Sequence, residues 1–134
     1  MVTDNKAVIR RYYDELWNRW NAEAVGELIA PDIEFRGSIG RTAHGIEEFR
    51  GYVAQIRGAF PDFHNEIEEL IAEGDRVAAR LTYSGTHRGA IFGTAATGKR
   101  IRYDGIAIFT IRGGKIARAF ILGDVDALKR QLTE

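Results

Sequence analysis

Cysteine is missing altogether from this 134-residue chain, and proline occurs only twice. The absence of cysteine excludes disulfides, thiolate nucleophiles and thiolate-bound metals, and leaves the redox compartment open. Neither sign of charge is in excess, since 19 Lys and Arg balance 19 Asp and Glu with no block of like charge. An electrostatic footprint for nucleic acid or an anionic membrane is therefore not expected. No apolar run approaches the roughly 20 residues needed to span a bilayer. The opening "MVTDNKAVIRRYY" is polar and lacks the apolar centre of a secretory leader. A soluble, cytoplasmic protein is the expectation, built as one domain over residues 1–134 with a sizeable core.

What is present is a change of period partway along. Asp4 or Thr3 can cap a first helix, in which Val8 or Ile9, Tyr12, Leu16 and Trp20 recur at helical spacing beside Tyr13 and Trp17. "NAEAVGELIA" reads as a second helix ended by Pro31, and "DIEFRG" as a short strand. "HGIEEFRGYVAQIRGAFPD" reads as a third helix with Ile46, Phe49, Val53, Ile56 and Phe60 inward. From Phe63 the period becomes two, with Phe63, Asn65, Ile67, Glu69 and Ile71 on one face of the strand. Gly74 and Asp75 mark a hairpin, and "RVAARLTYSGTH" is the returning strand. "RGAIFGTAATGK" is a loop; "RIRYDGIAIFTI" and "IARAFILG" are strands joined by a glycine turn; "DVDALKRQL" is a final helix.

Three helices ahead of strands in hairpin succession indicate an α+β fold with a curved, mostly antiparallel sheet. Helices over the concave face would leave a hollow, the natural place for a ligand.

"AFPDF", "IEELIAEGDRVAAR", "GTHRG", "TGKRI" and "GGKI" occur in the order found in SnoaL-like polyketide cyclases, and the chain resembles that family over nearly its whole length. These cyclases belong to the superfamily named after nuclear transport factor 2. The resemblance implies a cone-shaped, barrel-like fold enclosing a pocket, a homodimer, and cofactor-free chemistry on a hydrophobic carbonyl compound. In such chemistry a pocket acid moves a proton while an enolate forms. Fold alone does not settle the reaction, because the superfamily also holds isomerases, members recruited to polyketide hydroxylation and plain binding proteins.

Residue by residue, the resemblance points away from ordinary cyclase chemistry. Aligned on "GGKI", the aspartate of the cyclases' last strand falls on Ile121, and a pocket histidine of the preceding strand falls on Ala107. Neither side chain can carry a proton. Asp124 matches a second acid placed before the final helix, and is either a catalytic carboxylate or that helix's N-cap. His87 of "GTHRG" is either a proton carrier or a residue fixing the strand-to-loop corner. Arg36 stands where relatives often carry histidine, and could pair with a substrate oxygen or be a surface charge.

Trp17, Phe49, Phe60 and Tyr103 are core aromatics that could also wall the hollow, with Tyr103 sharing the strand face of Ala107. His64, Glu66 and Glu68 form a polar strand face whose composition does not resemble a metal site. "GTAATGK" lacks the Ser or Thr of a phosphate loop, having Arg100 there, and precedes no helix. The expected partner is a hydrophobic small molecule, with no metal, cofactor, nucleic acid or membrane.

Overall fold

The computed structural model describes residues 4–134. Helix α1 (Asn5–Arg11) starts at Asp4, whose carboxylate accepts the Ala7 N–H at 3.2 Å. Thr3, the alternative cap, lies outside the described residues. The helix then widens into a π-helical turn, Tyr12–Trp17. Spacings of four and five residues from Tyr12 bring both Leu16 and Trp17 to the side that already carries Tyr12 and Tyr13, and all four are buried. Trp20 falls beyond the turn with a positive φ of 53° and is only partly buried, so it is not a continuation of the helical stripe.

Helix α2 (Glu23–Leu28) leads directly into strand β1 (Ile29–Arg36). Pro31 therefore does not end the helix; it lies inside β1, exposed, where the pairing with the last strand is irregular between Ile29 and Glu34. Such irregular pairing spares proline the ladder bond that it cannot donate. A three-residue strand, β2 (Thr42–His44), folds back on β1 and was not anticipated from the sequence. Helix α3 (Gly45–Ala59) follows. The His44 imidazole does not cap it; instead the His44 N–H donates to Glu48 Oε1 at 2.9 Å, one half of a capping box. Its buried stripe is Phe49, Tyr52, Ile56 and Ala59, rotated from the one expected so that Tyr52 enters and Ile46 and Val53 move to the margin.

Strands β3 (His64–Glu73), β4 (Arg76–Thr86), β5 (Arg100–Arg112) and β6 (Lys115–Gly123) form an antiparallel series. The six strands run in the order β2-β1-β6-β5-β4-β3, and only β1 and β6 are parallel. The sheet is curved and unclosed, with helices on one face, an α+β architecture as the residue pattern predicts. In β3 the alternation breaks at a bulge between Ile67 and Glu69, which carries Leu70 toward the core and leaves Ile71 64% exposed. An extra residue in one strand reverses the facing of everything after it. Strand β5 keeps strict alternation, burying Ile101, Tyr103, Gly105, Ala107, Phe109 and Ile111. Helix α4 (Val125–Thr133) closes the chain, with Leu128 and Leu132 buried.

Candidate functional site in the aromatic interior

The concave side of the sheet is not an open cup. Aromatic side chains from every layer meet there. Tyr12 and Tyr13 of the π-turn pack edge-on against Phe109 of β5, with ring centres 5.4 and 6.0 Å away. Phe35 of β1 meets Phe49 and Tyr52 of α3 at 5.0 and 4.9 Å. Phe63 stacks on Tyr83, which lies directly across from Tyr103 in the β4–β5 register. What remains is a hollow of about 20 Å³, lined by Tyr13, Trp17, Ser38, Tyr52, Asn65, Tyr83 and Ile121 among others. Room for about one water is far below the volume of a small-molecule pocket. The apolar pocket expected from the sequence is, in this structure, a nearly filled interior.

All five tyrosines of the chain are buried here. Two glycines make this possible. A Cβ on Gly37 would lie 2.2 Å from the Tyr52 hydroxyl oxygen, and one on Gly105 would lie 2.5 Å from the Tyr83 ring. Tyr103 shares a hydrogen bond with Ser38 Oγ at 2.8 Å. Tyr52 sits beside Ser38, and Tyr13 beside Tyr83, near enough for the hydroxyls to sense each other but without well-formed hydrogen bonds. Burial raises the pKa of each of these phenols above the ordinary tyrosine value. They stay protonated near neutrality and act as hydroxyl donors, not as bases.

The sequence-predicted residues divide into three groups. Trp17 and Ile121 line the hollow. Phe49, Phe60, Tyr103 and Ala107 are inward and buried but stand behind its walls; Phe60 packs on Phe63 and on the His87 ring. Ala107 and Ile121 are directly paired across β5 and β6, so the two positions that the resemblance matches to the cyclases' histidine and aspartate adjoin as hydrocarbon.

Arg36, Asp124 and His87 lie elsewhere. Since Phe35 faces inward, Arg36 faces outward: it stacks over the Phe120 ring at 5.0 Å and donates to the Ile121 carbonyl. Asp124 is exposed and caps α4, accepting the Ala127 N–H at 3.1 Å on the sheet's outer side, where it borders a groove with Arg80 and Asp104. Asp126 pairs with Arg130 on the same helix at 3.1 Å. His87 is wholly buried, but at the strand-to-loop corner. Its Nδ1 accepts the Thr97 N–H at 3.2 Å and lies 2.9 Å from Thr97 Oγ1, while the backbones of Gly98 and Lys99 close on it. Its geometry is that of a corner pin. Among the described residues no cluster of His, Asp and Glu is arranged to hold a metal, and no helix is long and apolar enough to cross a membrane.

Several lining residues escaped the sequence reading. Asn65 had a signal, as a polar residue between Phe63 and Ile67 on an inward strand face. Tyr52 and Tyr83 were ordinary members of a helix and a strand. Ser38, in the loop after β1, had none.

An open, curved, six-stranded sheet with helices massed over one face defines the architecture shared with nuclear transport factor 2. Within that class the chain belongs to the SnoaL-like polyketide cyclase family, whose model matches residues 7–132. AclR, a candidate hydroxylase from Streptomyces galilaeus, is 26% identical with a TM-score of 0.84, over 97% of this chain and 96% of that one. TsrD from Streptomyces laurentii is 25% identical with a TM-score of 0.86, over 98% of both chains. IdmH, a candidate polyketide cyclase from Streptomyces antibioticus, is 25% identical with a TM-score of 0.83, over 98% of this chain and 100% of that one. No curated protein matches the chain significantly in sequence.

Proposed function

We propose that this chain is a small-molecule-binding member of the SnoaL-like family. Its interior, closed in this structure to room for about one water, opens to take a hydrophobic, carbonyl-bearing molecule by shape and by hydroxyl hydrogen bonds, without the carboxylate and histidine proton shuttle of the cyclases. The observation that carries this reading is the pairing of Ala107 with Ile121 inside a core whose polar groups are phenols, a serine and an asparagine. Phenols raised by burial can donate to a carbonyl oxygen but cannot remove a proton from carbon near neutral pH. Trp17 lines the hollow, so its fluorescence reports occupancy directly. Titration with aromatic polyketide-type ketones is expected to give saturable quenching and no product. Formation of a cyclised or isomerised product at a rate well above the uncatalysed one would sink the reading.

A second reading has one observation in its favour. The similarity to AclR, together with the missing cyclase residues, fits a chain recruited to polyketide hydroxylation. Oxygen-dependent product formation with a reductase partner supplied would select it.

The outer sheet face supports a homodimer. Ile106 pairs with Leu122, and Ile108 with Phe120, and all four are about half exposed, forming one apolar patch across β5 and β6. Arg118–Glu34 and Arg80–Glu69 ion pairs flank it. Light scattering is expected to give twice the chain mass, and Phe120→Glu the single mass. A wild-type monomer at micromolar concentration removes the homodimer.

A further inference from the structure

Strand β3 ends the sheet, with β4 along one side and no strand along the other. One contact shows how its free edge is built. Asn18, the residue after the π-turn, accepts the Asn65 N–H at 2.7 Å and donates to the Asn65 carbonyl at 3.1 Å. Asn65 therefore turns both backbone groups away from β4, and a side-chain amide stands on them as a neighbouring strand's peptide would. In an antiparallel ladder such outward residues alternate with those bonded to the partner strand. With the shift of one residue at the bulge, Ile67, Leu70 and Ala72 turn outward in the same way. Among the described residues no side chain or loop bonds to the backbone groups of these three.

An open groove of about 430 Å³ lies beside this edge, between the π-turn and β3. Its lining has two characters. Tyr13, Ile67 and Leu70 are apolar, whereas Asp14, Glu66, Glu68 and Glu69 set four carboxylates against the single guanidinium of Arg10. Glu73 and Asp75 continue the acidic run to the hairpin. Arg19, His64 and Arg80, outside the lining, pair with Asp14, Glu66 and Glu69, but exposed pairs of this kind contribute little and give way readily. Free edges are commonly guarded by bulges and charge. Guards of one sign are selective. They repel a second copy of β3, whose own carboxylates would lie opposite, and they admit a basic strand.

We propose that the free edge of β3 is a docking site for an extended basic peptide segment of a partner protein, which adds to the sheet as a further strand. The edge supplies main-chain hydrogen bonds, and alternate side chains of the segment supply selectivity. Basic side chains face Glu66 and Glu69 on the outer side of the sheet, and apolar ones face Tyr13 and Leu70 on the inner side. Asn18 marks where the added strand stops. The inference is independent of what the interior binds.

The test is fluorescence anisotropy with a labelled peptide of alternating lysine and valine, roughly eight residues long, enough to span residues 67–72 at about 3.4 Å per residue. Saturable binding is expected. The same peptide with all its peptide nitrogens methylated, and one of alternating glutamate and valine, are each expected to bind at least tenfold more weakly. Ala72→Pro removes one outward donor and no bond to β4, a change that an edge strand tolerates; it is expected to weaken binding at least tenfold. Glu68→Lys combined with Glu69→Lys is expected to do the same, and as a surface change it keeps the test decisive should the proline variant fail to fold. Bound peptide is expected to slow hydrogen exchange at the Leu70 and Ala72 amides. No binding, equal binding of the methylated or the glutamate peptide, or unchanged affinity in the folded variants overturns the inference, as does unchanged exchange at those two amides. A wild-type dimer that Ala72→Pro splits and Phe120→Glu leaves intact would put a second copy on this edge and overturn it too.

Discussion

Strands β5 and β6 carry two apolar faces separated only by the thickness of the sheet, and the two are in different physical states. On the inner face Ala107, Phe109 and Ile121 are sealed under aromatic rings. On the outer face Ile106, Ile108, Phe120 and Leu122 stand about half in water. The inner face has helices over it; the outer one is bordered by Arg80, Asp104, Thr110 and Arg118. Apolar content by itself therefore says little about which face serves which purpose. Cover and the polar groups embedded in it decide, and the inner face holds the five buried phenols.

The comparison is broken most severely by removing one aromatic from each side. Phe109→Ala opens a cavity in a fully buried position between Tyr12 and Tyr13 and is expected to cost about 3–5 kcal/mol. Phe120→Ala, from the outer face, is expected to cost the isolated chain less than about 1 kcal/mol, since half of that ring is already in water. Urea unfolding of both variants at low protein concentration measures the difference. Similar costs would mean that the outer face is covered even in the monomer.

A subtler intrusion on the inner face is Gly105→Ala. The new methyl would lie 2.5 Å from the Tyr83 ring, so the tyrosine must shift, at an expected cost of about 1–3 kcal/mol. Tyr83 also lines the hollow, so this variant should change the quenching of Trp17 by any bound ligand; a change of the same size on the outer face, Ile108→Val, should not.

How far each face was legible in the sequence follows from what encodes it. The alternation of β5 was readable residue by residue, and with it the inward facing of Tyr103 and Ala107, because period two is a local property. The bulge in β3 was not, since an extra residue leaves the composition of the strand unchanged and shows only in its partner's register. The π-turn was hidden because apolar residues at positions 12, 13, 16 and 17 satisfy either helix. The size of the hollow was the least legible feature. It depends on Tyr52, Tyr83 and Trp17 arriving from three separate elements, and no periodicity counts their combined volume. Asp124 and His87 were each read with two meanings, and in both cases local hydrogen bonding supplies the structural one.

Acid should weaken the rim before it reaches either face of the sheet. Asp62 accepts the Thr86 N–H and hydroxyl, both at 2.7 Å, and lies 3.0 Å from Arg100. Partial burial pushes this carboxyl up, but the hydrogen bonds from Thr86 outweigh that effect and hold it below the ordinary value of 3.8. Its stabilisation is therefore complete above the unfolded-state value of about 3.9 and is lost as the pH falls through the lower folded-state one. Asp62→Asn is expected to cost about 1 kcal/mol at pH 7 and to flatten that part of the acid limb. An unaltered acid limb in the variant would show that Asp62 is unlinked to folding.

The smallest expected effect separates a cap from a catalyst. Asp124 accepts one backbone N–H of α4 from an exposed position on the sheet's outer side, away from the hydroxyls of the hollow. Asn accepts the same bond, so Asp124→Asn should change stability by only a few tenths of a kcal/mol, and Asp124→Ala by about 1 kcal/mol. Neither should alter ligand affinity, because the side chain reaches the interior in neither state. The two variants together discriminate where one would not. A cap predicts that Ala is worse than Asn in thermal unfolding, with binding unchanged in both. A proton carrier predicts equal loss of function in both, with stability scarcely moved, and that pattern would return Asp124 to the site and this chain to the acid–base chemistry of its family.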